Sequence, residues 1–100
     1  MRHIAGVPMA SVIVAGETDI PTAGTPAQII NNTTPCLGVI VSNPNAANSI
    51  YVGGSDVDKT SKRCITLKAG ENVYIPVGDA SLLYADGTSN GDDVGYMILT

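Results

Sequence analysis

Every apolar run in this chain is short, and most end at a turn signal. Ala10–Val14 stands in a stretch punctuated by Pro8, Gly16, Pro21, Gly24 and Pro26. Ala27–Asn31 meets Asn31-Asn32-Thr33-Thr34-Pro35. Cys36–Ser42 meets an Asn/Pro/Ala loop at Asn43–Asn48, and Ser49–Gly53 meets Gly53-Gly54-Ser55-Asp56. Cys64–Leu67, Val73–Val77, Leu83–Asp86 and Val94–Leu99 complete the series. Runs of this length fit strands and are too short for most helices. The side chains agree: Ile and Val number 20, against 5 Leu. β-Branched residues suit a pleated surface. With no Phe, no Trp and four Tyr, the core must be aliphatic. Disorder is excluded, because 44% of residues are hydrophobic and 14% charged. The expectation is an all-β fold, a small β-sandwich or jelly-roll-like barrel of about seven to eight short antiparallel strands with an extended N-terminal arm. Without Trp, the Cys…Trp…Cys pattern of immunoglobulin domains is ruled out.

The 100 residues divide into an arm at 1–26, carrying one short strand, and a sandwich at 27–100. Cys36–Ser42 is apolar throughout, which predicts burial on both faces. Ser49–Gly53 alternates, placing Tyr51 on one face and Ile50 and Val52 on the other. Pro76 cannot donate to a ladder, so Val73–Val77 is expected at an edge. Asp79 is a cap for one helical turn over Asp79–Leu82. The last strand puts Tyr96 and Ile98 on one face. The arm, with one Arg before a run broken by Pro8, reads as an arm or first strand rather than as a signal peptide.

The formal net charge is −4, which disfavours direct nucleic-acid binding. Four of the five basic residues, Lys59, Lys62, Arg63 and Lys68, fall in one stretch that reads as a solvated loop, with contact to an acidic protein or nucleic-acid surface as the other reading; the loop Val57–Arg63 is expected to be mobile at its tip. No run approaches a membrane span. Cys36 and Cys64 are too far apart for CxxC spacing and are expected as buried, reduced thiols, with a disulfide between adjacent strands as the other arrangement.

No catalytic set emerges. His3, the one histidine, lies in the arm, so no nucleophile–base pair forms and no enzyme is expected. Asp86-Gly87-Thr88-Ser89-Asn90-Gly91 matches the start of a calcium loop, but Met97 stands where its bidentate Glu belongs. Hairpin-turn chemistry is the expected reading of Asp86–Asp93, with a weak cation site as the other reading, and no metal or cofactor is assigned. Tyr51, Tyr74, Tyr84 and Tyr96 all lie in expected strands.

One set of segments carries a resemblance: Gly38-Val39-Ile40-Val41, Ile50-Tyr51-Val52-Gly53-Gly54-Ser55-Asp56-Val57, Leu67-Lys68-Ala69-Gly70-Glu71, Leu83-Tyr84-Ala85-Asp86-Gly87 and Gly91-Asp92-Asp93-Val94-Gly95-Tyr96. In this order they resemble small virion proteins of tailed bacteriophages, over roughly residues 22–99. The resemblance implies a non-enzymatic capsid decoration, or cement, protein. It would be made in the host cytoplasm and carried on the capsid surface of the virion, as a homotrimer clamping the major capsid protein. Within that reading the partner-binding residues are those of the arm: Ile4, Val7, Met9, Ser11, Val12, Ile13 and Val14, with Ser11–Val14 adding as a strand to a neighbouring sheet edge. The other reading is a host- or glycan-binding sandwich on the tail or head, which requires an aromatic patch built from the tyrosines.

Overall fold

A computed structural model describes residues 9–60 and 63–100. The described residues form eight strands: β1 (Ile13–Ile20), β2 (Ala27–Gln28), β3 (Gly38–Ser42), β4 (Ile50–Gly53), β5 (Ile65–Leu67), β6 (Asn72–Ile75), β7 (Tyr84–Gly87) and β8 (Asp92–Leu99). They build two four-stranded sheets, A in the order β1-β8-β3-β6 and B in the order β2-β7-β4-β5, and every pairing is antiparallel. First and last strands lie side by side, and the chain crosses between sheets at every step except β4 to β5, which form a hairpin in sheet B. This is the jelly-roll order of the sandwich architecture.

Alternation along the strands decides the core. Val39 and Val41 from β3, Val94 and Ile98 from β8, and Ile50 and Val52 from β4 face inward and are buried. Each such side chain contributes roughly 1.5–3 kcal/mol relative to exposure. Val73, Ile75 and Tyr96 pack against this cluster from the margins. The aliphatic core, the opposed faces of Tyr51 and Ile50/Val52, and the shared face of Tyr96 and Ile98 follow the sequence pattern. So does the edge position of β6, which ends directly before Pro76. A 3-10 turn at Ala80–Leu82 is capped by Asp79, whose carboxylate accepts from Ser81 N at 2.9 Å and from Thr34 N at 3.0 Å. The Thr34 bond, then those of Ser81, hold this carboxyl below its ordinary range.

Five expectations need correction. First, the strand of the N-terminal segment is longer than Ala10–Val14 and belongs to the sandwich. Gly16 does not interrupt it, because the Tyr96 ring from β8 lies where a Cβ at residue 16 would stand. At its far end Ile20 is completely buried. Second, the strand expected over Ala27–Asn31 is reduced to Ala27–Gln28. Third, β3 is fully buried on its inner face, whereas on its outer face Ile40 and Ser42 are half-buried and only Gly38 is covered. Fourth, the cysteines are free but half-buried rather than buried. Burial raises the Cys36 thiol pKa, and its Sγ lies 3.1 Å from the Val77 carbonyl. Fifth, Lys59 is not a solvated cation: its Nζ donates to Gly87 O at 2.9 Å and lies 6.0 Å from the centre of the Tyr51 ring. Lys62 and His3 lie outside the described residues.

The loop Asn43–Asn48 joins the sheets at one end. Asn43 is 1% exposed. Its Nδ2 donates to Asn48 O and Leu67 O, each at 2.8 Å, and its Oδ1 accepts from Asn45 N and Nδ2. Asn45 exchanges bonds with the Asp93 backbone, and Asn48 Nδ2 donates to the Asp92 carboxylate at 2.9 Å. A polar side chain this deep is tolerated only when its hydrogen-bonding capacity is met. Asp92 also accepts from Thr88 N and Ser89 N. Burial pushes its carboxyl up, but the Asn48, Ser89 and Thr88 donors and the Lys59 charge outweigh that and hold it low. A depressed carboxyl stabilises the fold above its unfolded pKa of about 3.9 and ceases to do so as the pH falls through the lower folded value. Asp92→Asn should therefore lower stability at neutral pH and flatten its acid dependence below about pH 4, as read by urea unfolding across that range.

Candidate interaction surface

The outer face of sheet A is polarised along its strands. Register places Ala15, Met97, Ile40 and Tyr74 in one row across all four strands, β1-β8-β3-β6. The adjacent row toward the start of β1 holds Ile13, Leu99 and Gly38, with the Tyr74 ring lying over Gly38 and its hydroxyl donating to Leu37 O at 3.2 Å. Tyr74 and Met97 are exposed, and Ile13 is 59% exposed. The next row the other way is Glu17, Gly95, Ser42 and Asn72, and beyond it Asp19 faces Asp93. Two apolar rows therefore adjoin a polar and acidic end. A contiguous apolar patch of this kind is unusual on a surface that meets only water.

The sheet edges differ in the same way. β2 has two residues, β5 three, and β6 four with a proline following. Short strands and edge prolines prevent unwanted pairing. β1 has eight residues, no proline and, at its start, the exposed β-branched run Val12-Ile13-Val14.

Of the arm residues expected to bind a partner, Ile4 and Val7 lie outside the described residues. Met9, Ser11, Val12, Ile13 and Val14 are all exposed. Ser11–Val14 already uses one backbone edge within its own sandwich, since Ser11 N and Val12 N both donate to Thr100 O. Among the described residues, no strand pairs with its opposite edge. Sequence reasoning missed Ala15, Ile40, Tyr74, Met97 and Leu99. Odd–even alternation in β8 carried part of the signal, because Tyr96 and Ile98 inward put Met97 and Leu99 outward.

The other candidate features resolve into structural roles. Tyr51 and Tyr84 lie on the outer face of sheet B, Tyr74 on that of sheet A, and Tyr96 packs at the margin of the core, so the tyrosines form no common platform. In the Asp86–Asp93 turn, Asp86 accepts from Gly24 N and Gly87 N, and Asn90 from Ala23 N. Among the described residues, no three His, Cys, Asp or Glu side chains group as a metal site would require, and no helix is long and apolar enough to cross a membrane. One cleft of about 250 Å³, beside Asp56, Lys59, Arg63 and Asp86, is small and polar for a ligand pocket. A second, of about 310 Å³, opens between the sheets beside Glu17, Gln28 and Tyr96. Compared with family models, curated proteins and solved structures, the chain matches none.

Proposed function

We propose that this chain is a non-enzymatic structural protein of a tailed-bacteriophage particle, a decoration or cement protein that binds the major capsid protein at capsomer junctions of the mature head. The observation that carries the reading is the apolar outer face of sheet A, continuous with the open β1 edge. Such a face gains free energy by leaving water against a neighbour. A protein that binds the assembled shell and not its free subunits stabilises the shell by mass action. The resemblance of residues 22–99 to phage virion proteins points the same way. Jelly rolls serve in capsids and lectins alike, so the fold itself adds little. Dispersal of the four tyrosines weighs against the glycan-binding reading.

The test is a cryo-electron microscopy map of particles carrying this chain. Density for the sandwich is expected on the head surface at capsomer junctions, with the outer face of sheet A toward the shell. Density confined to the tail, or a sandwich resting on sheet B, overturns the reading.

A further inference from the structure

The hydrogen-bond phase of β1 specifies what its free edge offers. Val12 and Thr100 exchange both backbone bonds, at 3.0 and 2.9 Å. From Ile13↔Leu99 to Ile20↔Asp92 the register is unbroken. In an antiparallel ladder, bonded pairs alternate with non-bonded ones. Val14, Gly16, Thr18 and Ile20 therefore direct their N–H and C=O groups to β8. The bond from Gly91 N to Ile20 O, at 2.7 Å, fits that phase. Ile13, Ala15, Glu17 and Asp19 direct theirs away from the sheet. Ser11 N is held by Thr100 O, so the regular free edge begins at Ile13. Its first two members are uncharged and its last two are acidic.

We infer that the free edge of β1 pairs antiparallel with β1 of a second copy of this chain, about a two-fold axis at Val14, with Ile13 of each copy opposite Ala15 of the other. This register uses both uncharged free-edge residues on both strands. Moving the axis to Ala15 sets Glu17 opposite Ile13, and moving it to Glu17 sets two carboxylates face to face. An in-register parallel pair would line up Glu17 and Asp19 with their counterparts. Like charges directly opposite destabilise a sheet. The outer face supplies an independent argument. About the Val14 axis, the row Tyr74-Ile40-Met97-Ala15 of one copy runs directly into Ile13-Leu99 of the other, so the apolar rows join into one patch. Val14, half exposed in the single chain, meets its own counterpart at the axis. The inference refines the proposed function by giving the edge to a second copy and leaving the face for the shell. It departs from the three-fold assembly that the resemblance implies.

Light scattering of the unmodified chain is expected to give twice 10.2 kDa. Register is read by cross-linking in a Cys36→Ser, Cys64→Ser background. Val14→Cys should oxidise to a covalent dimer, because facing residues of a non-bonded pair have Cα atoms about 4.5 Å apart, within disulfide reach. Ala15→Cys should not, since its two copies lie diagonally, about 7–8 Å apart or more. A monomer, a trimer, or equal cross-linking of both variants overturns the inference. Monomer or trimer leaves the decoration reading standing, whereas a dimer that is absent from particles overturns that reading alone.

Discussion

Ala15→Pro is expected to turn the protein into a monomer and to lower its occupancy on particles about a hundredfold or more, while the sandwich stays folded. The Ala15 N–H faces away from β8, so a proline there removes no bond of the chain's own ladder. Edge positions of this kind tolerate proline. The ring does remove a donor from the free edge and adds bulk along the line of approach. Loss of pairing turns a two-point attachment into a one-point attachment, which sets the size of the occupancy effect. The melting temperature should move by less than about 8 °C, the equivalent of roughly 1 kcal/mol in a domain of this size. Val14→Pro is the contrast, because that N–H faces β8 and its loss should release β1 from the sheet. Light scattering, thermal melts and co-sedimentation with particles separate the two. An Ala15→Pro protein that remained dimeric would show that β1 is not the contact.

Asn43→Ala should be the most damaging single change to the fold itself. It removes the donors to the Asn48 and Leu67 carbonyls and the acceptor for Asn45, in a place that water does not reach. Buried groups left without partners cost about 1–3 kcal/mol each, so a loss of about 3–5 kcal/mol is expected. That corresponds to a fall of about 20 °C in melting temperature. Asn43→Asp should be worse at neutral pH, since a carboxylate would face the two carbonyls that the amide now serves. A fall under about 5 °C for Asn43→Ala would show that the Asn43 hydrogen bonds are not what stabilise this end of the sandwich.

Local rules made much of this fold legible. Alternation over Ile50-Tyr51-Val52, the missing donor of Pro76 and the capping chemistry of Asp79 each act within a few residues, and each sets the element in which it sits. The length of β1 was hidden because Gly16 reads as punctuation, and only the Tyr96 ring from the other end of the chain makes it a strand residue. Asn43 reads as an ordinary loop asparagine until Leu67, on another strand, supplies a carbonyl. The interaction surface divides along the same line. Val12, Ile13 and Val14 stand out as part of the one compact apolar run in a segment punctuated by proline and glycine. The row through Ala15, Met97, Ile40 and Tyr74 draws one residue from each of four strands, and only register brings them together.

Pro76 has a consequence for how far association can proceed. An unprotected edge usually threatens fibre formation, because each added sheet exposes a fresh edge. Here, joining two copies through β1 consumes the long edge of both. The merged sheet would then end on each side at β6, a four-residue strand stopped by proline. Growth along the sheet would stop at two. The chain could therefore reach high concentration in a cell without polymerising, while keeping an apolar face available for its partner.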